Sequence, residues 1–284
     1  MNSANVVLLD GPIGTELAVR GVATPGLAWS ACALDRAPEV VAQIHRDYAA
    51  AGATVHTANT FRTRRRTVGP RWEELARRAV DIARASVPTG HRVAGSMGPI
   101  EDCYRPDLSP GQGGRTEHAA LAEVLAGAGV DLLLCETFAS PAESVVAVEE
   151  AVRTGVETWV ALTAGPDALL LDPAGMRDAA RACIHAGATA VLVNCTPASR
   201  TLAYVGALSA LDSMFGAYAN AGEADEGIGW STRAEEGADR YAAIARSWIA
   251  AGATIVGGCC GTGPAHIRRL AGRPRLGAPD EQPR

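Results

Sequence analysis

The sequence predicts a single (β/α)8 TIM barrel of the α/β class over residues 1–271. Eight short apolar segments alternate with helical patterns along the 284 residues, and eight such units in this length are typical of a closed barrel. Four junctions repeat one theme, Ala-Gly-Ala-Thr from 51, 186 and 251 and Ala-Gly-Val-Asp from 128. In each, a glycine is expected to end a helix just before a strand begins. Residues 272–284, rich in proline, glycine and charge, are predicted to form a disordered tail.

An open, doubly wound sheet is the alternative that the same alternation allows. Such sheets often carry a G-x-G-x-x-G fingerprint in the first strand-to-helix turn. That turn here reads Asp10-Gly-Pro-Ile-Gly-Thr-Glu-Leu17 and lacks the fingerprint. No shift in composition marks a domain boundary, so the closed barrel is favoured.

The strands are predicted from short runs rich in β-branched residues. In chain order their ranges are 6–9, 53–59, 92–96, 130–135, 158–162, 188–193, 214–218 and 253–256.

The helices are predicted from apolar residues spaced three and four apart. The clearest begins at Pro38 and ends before Gly52, and a last one is expected from Pro264 with Thr262 as its N-cap. The others centre on 72–83, 121–125, 145–152, 173–185, 202–208 and 241–249. The long irregular segment 100–114 is of the kind that often forms a functional lid.

Composition limits the function and the compartment. The net charge is −5 and the pI about 5.7, which argues against general binding to nucleic acid or to an anionic membrane. No apolar run reaches the roughly 20 residues of a membrane span, and residues 1–5 lack the basic region of a secretory signal. We therefore expect a cytoplasmic protein, whose seven cysteines are thiols or metal ligands rather than disulfides.

Polar and thiol side chains recur where the predicted strands end. They are Asp10, Asn59, Ser96, Glu136, Asn194, Cys195, Asn220, Cys259 and Cys260. In a (β/α)8 barrel these ends open on one face, where reactive groups gather. The run Arg62 to Arg66, by contrast, is interpreted as a solvated loop rather than an anion site.

The adjacent Cys259 and Cys260 allow four interpretations: a vicinal disulfide, two inert thiols, a catalytic nucleophile, or two ligands of a soft metal. Cys195, near the end of strand six, favours the last, because three thiolates with one open position are a ligand set for catalytic zinc. The C-x2-C pairs of structural zinc sites are absent. The remaining cysteines, which are Cys32, Cys103, Cys135 and Cys183, are interpreted as packing or loop thiols.

A zinc ion held by three thiolates favours thiol chemistry. Its formal charge of about −1 makes it a poor Lewis acid for hydrolysis, but it still binds an incoming thiol as thiolate, whose free pKa is about 8.5. The electrophile that best suits this thiolate is a cation, because the anionic metal site attracts the cation and the reaction neutralises its charge.

At this point the motifs resemble those of the homocysteine S-methyltransferases. The matching stretches are Asp10 to Leu17, Ala58 to Phe61, Gly95 to Pro99, Glu136-Thr137, Asn194-Cys195, Tyr218 to Glu223 and Gly257 to Thr262. The resemblance implies a (β/α)8 barrel with zinc on Cys195, Cys259 and Cys260 and homocysteine sulfur in the fourth position. It further implies that Glu136 and Asp10 hold the homocysteine ammonium, that amides near Gly14 and Thr15 meet its carboxylate, and that Asn194 belongs to the substrate site.

The donor half departs from the family pattern. Stand-alone members that use S-methylmethionine carry an Asp-Gly-Ser-Glu-Tyr-like stretch after the Gly-Pro motif, where this chain reads Arg105-Pro-Asp-Leu-Ser-Pro-Gly-Gln112. Segments resembling the cobalamin and folate domains of other members are not found.

The leading hypothesis is a zinc-dependent enzyme that methylates homocysteine to methionine from an onium donor, S-methylmethionine or S-adenosylmethionine. Its expected partners are these small molecules, with no nucleic acid or membrane, and a second copy of the chain is a further candidate. Three alternatives stay open: another small thiol or selenol as acceptor, the catalytic half of a corrinoid-dependent system, and a non-enzymatic zinc or redox-sensing protein.

Overall fold

A parallel eight-stranded barrel forms the centre of the structure, a computed structural model that describes residues 6–230 and 233–272. The strands are β1 Val7–Leu8, β2 Val55–Ala58, β3 Arg92–Met97, β4 Leu132–Phe138, β5 Thr158–Leu162, β6 Ala190–Pro197, β7 Met214–Asn220 and β8 Ile255–Val256. Their order is β1-β8-β7-β6-β5-β4-β3-β2. A parallel bridge from Leu9 to Val55 links the two ends, so the predicted closed barrel is confirmed.

Helices between the strands cover the outside of the barrel. They are α1 Ile13–Val19, α2 Ala33–Arg36, α3 Pro38–Ala51, α4 Arg65–Val68, α5 Trp72–Ser86, α6 Arg115–Gly127, α7 Pro141–Arg153, α8 Pro173–His185, α9 Ala198–Leu208, α10 Ala234–Ala250 and α11 Pro264–Leu270. Short 3-10 helices lie at Trp29–Cys32, Gly69–Arg71, Pro106–Leu108, Gly111–Gly114 and Ala224–Glu226. None of the helices described is long and apolar enough to cross a membrane.

Two apolar layers explain why the alternating sequence closes on itself. Inward residues such as Leu9, Val55, Leu132 and Trp159 fill the barrel. The opposite face of each strand packs against the helices in a larger, alanine-rich layer. Small side chains let helices lie close to the strands, and the charged residues stay on the outer helix faces.

The repeated helix-ending glycines act as predicted. Gly52, Gly129, Gly187 and Gly252 have φ values of 117°, 80°, 109° and 101°, a region that glycine enters without the steric penalty of a side chain. The Gly52 amide, for example, bonds the Tyr48 carbonyl at 3.1 Å. Each reversal carries the chain from a helix directly into the next strand.

Three strand ends and one helix cap differ from the prediction. β4, β6 and β7 continue beyond the predicted ends, so Glu136, Cys195 and Asn220 lie within strands, because pairing resumes after a register shift in β4 and β6. Gly263, not Thr262, is the N-cap of α11, since the Thr262 hydroxyl donates to the Cys259 carbonyl at 2.8 Å. Of the predicted tail 272–284, residues 273–284 lie outside the described residues.

Candidate active site

A cavity of about 500 Å³ opens at the carboxyl ends of the strands, a size typical of small-molecule sites. Segments after the first four strands form one wall, and β6, β7 and the loop after β8 form the other. The lining includes Asp10, Gly14, Asn59, Ser96, Glu136, Cys195, Cys259 and Cys260. Folding thus brings together groups that are up to 250 residues apart in sequence.

Three sulfur atoms lie together on this wall. The Sγ atoms of Cys195, Cys259 and Cys260 are all within 4.8 Å of one another. Cys195 and Cys259 are bonded, with their sulfurs 2.19 Å apart and their Cα atoms 5.7 Å apart, whereas Cys260 is a free thiol. The expectation that no cysteine is bridged is therefore not met, because the fold itself holds two thiols close enough to be oxidised. The vicinal Cys259–Cys260 bridge does not form.

The same three residues fit a zinc ion in the reduced state. Their sulfurs come from two places in the chain, converge at one point and face a cavity where a fourth ligand could enter. Cys195 and Cys259 are only 5% and 8% exposed, so bulk water has little access to the cluster. Three soft thiolates are donors that favour zinc over magnesium or calcium.

A bulge in β6 directs Cys195 into the cavity. Cys195 has a φ of 45°, and the pairing of β6 with β7 shifts between Asn194 and Pro197. Its carbonyl accepts hydrogen bonds from Asn220 Nδ2 at 3.1 Å and Thr163 Oγ1 at 3.3 Å. Bulges re-aim side chains, and a positive φ in a non-glycine residue persists only where surrounding contacts impose it.

Hydrogen bonds fix the loop that carries Cys259 and Cys260. The Cys259 amide donates to the Ala219 carbonyl at 2.9 Å, and the Cys260 carbonyl accepts from the Ala221 amide at 2.8 Å. Gly258 is required here, because a Cβ atom on it would lie 2.3 Å from Thr262 Oγ1. The loop is therefore rigid before any ligand arrives.

Two carboxyl groups line the same cavity as the sulfur cluster. Asp10 accepts hydrogen bonds from the Thr57 amide at 2.8 Å and from its hydroxyl at 3.0 Å. Glu136 accepts from the Tyr218 hydroxyl at 2.8 Å and from the Ser96 hydroxyl. Within the described residues, no arginine or lysine forms an ion pair with either group.

Burial dominates the titration of both carboxyl groups. It raises the pKa of Asp10 to about 8, although the two hydrogen bonds from Thr57 oppose the shift. Burial likewise raises the pKa of Glu136, against the hydroxyls of Ser96 and Tyr218. A buried carboxylate without a counter-ion is unfavourable, so the pair is suited to receive a cation.

The other residues predicted to bind substrate have specific structural neighbours. Gly14 lies beneath Trp29, where a Cβ atom would be 2.2 Å from the indole ring. Thr15 is not in the cavity lining, and its hydroxyl accepts the Gly261 amide at 3.1 Å. Asn194 is fully buried behind Cys195, and its Nδ2 donates to Thr137 Oγ1 at 2.8 Å. Thr15 and Asn194 thus support the cysteine-bearing segments.

Sequence reasoning missed an aromatic and cationic wall. Trp29, Phe61, Arg62, Cys103 and Tyr104 line the same cavity. Trp29 and Phe61 meet edge to face, with ring centroids 6.3 Å apart. The Arg62 guanidinium carbon lies 5.0 Å from the Phe61 centroid. Aromatic residues make up only 5% of the chain. This rarity was a signal that individual aromatic residues could have specific roles.

The interpretation of the arginine run as solvated is wrong for Arg64. Arg64 is only 4% exposed and donates to the Gly98 and Pro99 carbonyls. Arg66 is exposed, as predicted, and pairs with Glu101 after β3 and with Glu117 on α6. Carbonyl groups of the segment after β3 therefore hold the Arg64 guanidinium in the interior.

Glu143 on α7 attaches the long segment 100–114 to the barrel. Its carboxylate accepts from the Ile100 amide at 2.8 Å, the Ser109 hydroxyl at 2.5 Å and His118 Nε2 at 3.1 Å. Burial opposes ionisation of Glu143, but these three hydrogen bonds outweigh it and lower the pKa of the group. The segment that carries Cys103 and Tyr104 is thus fixed in place.

Comparison with known proteins agrees with this geometry. Residues 7–273 match the family described as homocysteine S-methyltransferase. Homocysteine S-methyltransferase of Escherichia coli (strain K12) is 30% identical over 96% of each chain. YbgG of Bacillus subtilis (strain 168), a homocysteine S-methyltransferase, is 28% identical over 94% of this chain and 93% of its own. The metallated crystal form of the homocysteine methyltransferase MmuM from Escherichia coli superimposes with a TM-score of 0.79 at 27% identity, covering 96% of this chain and 97% of MmuM. The oxidized form of MmuM gives 0.78 at the same identity and coverage.

Proposed function

The chain belongs to the homocysteine S-methyltransferase family of enzymes, and from this premise we propose that it methylates homocysteine with zinc and a sulfonium donor. The donor is S-methylmethionine or S-adenosylmethionine, and the product is methionine. The observation that carries the proposal is the meeting of three cysteine sulfurs and two carboxyl groups in one cavity. Neither carboxyl group forms an ion pair with a described residue.

Cys195, Cys259 and Cys260 would hold the zinc once the Cys195–Cys259 bond is reduced. When bound, zinc keeps the homocysteine sulfur as thiolate at neutral pH. The protein's part is to hold three sulfurs on a rigid wall and to leave one side open to the cavity. The chemistry of the donor set supports this, because all three ligands are soft.

Glu136 and Asp10 would bind the ammonium group of homocysteine. Each is a cavity-lining carboxyl group held by hydroxyl or amide donors and lacking a basic partner among the described residues. An ammonium ion would supply the missing positive charge and favour the ionised carboxylate. The amides near Gly14 and Thr15 stay the predicted partners of the substrate carboxylate.

The aromatic wall would receive the donor. A sulfonium cation is attracted to the faces of Trp29, Phe61 and Tyr104. Arg62 lines the cavity without forming an ion pair with any described carboxylate, so it can meet the carboxylate of an amino-acid donor. Binding of the donor carboxylate by Arg62 would account for a donor site that lacks the Asp-Gly-Ser-Glu-Tyr-like stretch of the family.

The transfer needs no further reactant. The homocysteine sulfur attacks the methyl carbon, a new carbon–sulfur bond forms, and the bond from that carbon to the donor sulfur breaks. The bond electrons stay on the donor sulfur, which becomes a neutral thioether, and the thiol proton passes to solvent. Two rigid walls favour such a displacement by aligning the three atoms.

A methyl-transfer assay tests the proposal. Reduced, zinc-loaded protein is given homocysteine with S-methylmethionine, S-adenosylmethionine or trimethylsulfonium, and methionine is measured by mass spectrometry. We expect activity with an amino-acid sulfonium, loss of activity in Cys259→Ala, and retention in Cys183→Ala, a core thiol outside the cavity. Full activity in Cys259→Ala, or a better rate with an unrelated thiol, would contradict the proposal.

A further inference from the structure

A second group of metal-ligating side chains lies behind the cavity wall, apart from the cysteines. It consists of Asp10 after β1, His45 on α3 and His56 on β2, and is called the histidine cluster below. One ligand atom of each residue lies within 4.8 Å of the other two. The two histidines are fully buried, and Asp10 is 4% exposed.

Ring nitrogens of the cluster lack partners. Neither nitrogen of His45 has a hydrogen bond within the described parts of the chain. Buried polar groups nearly always have a partner. A buried imidazole with two unpartnered nitrogens beside one carboxylate therefore indicates that something is bound between these side chains.

The outer contacts of the cluster are those of metal ligands. His56 Nε2 lies 3.0 Å from His91 Nδ1, so His91 can accept the Nε2 proton and leave the Nδ1 lone pair of His56 free. Thr57 donates to both carboxylate oxygens of Asp10, which fixes the carboxylate. Metal-bound histidines and carboxylates are typically oriented by such second partners.

From this arrangement we propose that Asp10, His45 and His56 bind a divalent transition-metal ion, distinct from the ion assigned to the cysteines. Two imidazoles and a carboxylate suit zinc, cobalt or nickel and not calcium. Metal–ligand bonds of about 2.0–2.2 Å require ligand atoms roughly 3 to 4 Å apart. The observed spacing of up to 4.8 Å would have to close slightly on binding.

The site would position Asp10 for the family reaction. A carboxylate has about four acceptor positions, and Thr57 occupies two, so the metal and a substrate ammonium can both bind. The ion would link β1, β2 and α3 directly behind the cavity. The site does not depend on the cysteines, so it stands or falls independently of the proposed zinc chemistry.

Titration with Co²⁺ tests the site, because sulfur ligation gives strong charge-transfer bands that nitrogen and oxygen ligands lack. Reduced wild type should bind two equivalents, one of each spectral class. The Cys195→Ala, Cys259→Ala, Cys260→Ala triple variant should keep only the nitrogen and oxygen class. His56→Gln and His45→Gln should each lose that equivalent and keep the sulfur class. His185→Ala, which replaces an exposed histidine on α8 outside the cluster, should match the wild type.

The triple variant can overturn the site even if the histidine variants fold poorly, because all its cluster residues are native. One equivalent of Co²⁺ in this variant, removed by adding His56→Gln but not His185→Ala, supports the site. No stoichiometric uptake by the triple variant overturns it, and so does uptake that persists when His56 is replaced. If the cluster holds only water, the triple variant would show no stoichiometric uptake of Co²⁺.

Discussion

Glu136 separates recognition of an amino acid from thiol chemistry alone. Its carboxylate lines the cavity, and Ser96 and Tyr218 hold it from either side. Glu136→Gln should leave the fold and the metal unchanged but raise the Kd for homocysteine by ten- to a hundredfold. The reason is the loss of a charge-assisted hydrogen bond, which is worth about 1.5–3 kcal/mol.

Calorimetric titration with homocysteine and its des-amino analogue measures this effect. The analogue should bind the wild type weakly and be almost indifferent to the substitution. Asp102→Asn, at the rim of the same cavity, is the control for removal of a negative charge. Equal affinity of the wild type for both ligands would show that Glu136 does not bind the amino group.

Arg62 is predicted to set the preference for the donor. Arg62→Met removes the charge but keeps an unbranched side chain over Phe61, and it should raise the KM for S-methylmethionine roughly tenfold. The effect is kept near 1.4 kcal/mol because this guanidinium is partly exposed to solvent. Steady-state kinetics should show little change in KM with trimethylsulfonium, which has no carboxylate, and partial recovery in Arg62→Lys. A parallel loss with both donors would assign Arg62 a purely structural role.

At the scale of elements, α7 controls the segment 100–114 through Glu143. Glu143→Gln removes the negative charge from three hydrogen bonds, and hydrogen bonds to charged groups contribute about 1.5–3 kcal/mol each at most. We expect faster amide hydrogen exchange in 100–114 and a higher donor KM, with the rest of the barrel unaffected. Glu149→Gln, on the same helix but paired with Arg115 outside this segment, is the matched control.

The same contacts predict a pH dependence. Because the pKa of Glu143 is lowered in the folded protein, its contribution to stability is present above the ordinary pKa of glutamate. The contribution is lost as the pH falls through the lowered folded value. Protection factors in 100–114, which are corrected for the intrinsic pH dependence of amide exchange, should therefore fall on acidification in the wild type and stay flatter in Glu143→Gln. An identical acid dependence in both proteins would contradict the assignment.

For the whole molecule, the barrel and most of its strands could be predicted because burial imposes a repeating pattern. The positions of Asp10, Glu136 and the three cysteines also followed, since parallel strands end on one face. The aromatic wall could not be predicted in this way. Trp29 and Tyr104 stand in irregular segments without periodicity, and their placement depends on long-range packing such as Gly14 beneath Trp29.

The histidine cluster escaped prediction for a related reason. Asp10, His45 and His56 come from a turn, a helix and a strand, and no spacing in the sequence links them. The Cys195–Cys259 bond was not predicted, because the number of cysteines and the expected compartment indicate only whether most cysteines are reduced. They do not indicate which two thiols the fold brings together. Pairing depends on two strand ends that the closed barrel places 5.7 Å apart, measured between Cα atoms.

The size of the barrel core leads to the last prediction, that the fold survives without metal. Small zinc domains unfold when the metal is removed because the ligands replace a core. Here the large apolar layer between strands and helices contains none of the three cysteines, and a chain of this length buries most of its apolar surface. Reduced protein treated with a chelator should keep its far-ultraviolet circular dichroism and unfold cooperatively.

Zinc should then raise Tm in proportion to the logarithm of its concentration, since it binds the folded state. The triple cysteine variant should lose the sulfur-dependent part of that rise, and Cys183→Ala should keep it. A chelated wild type without cooperative unfolding would mean that the metal, rather than the core, holds the barrel together.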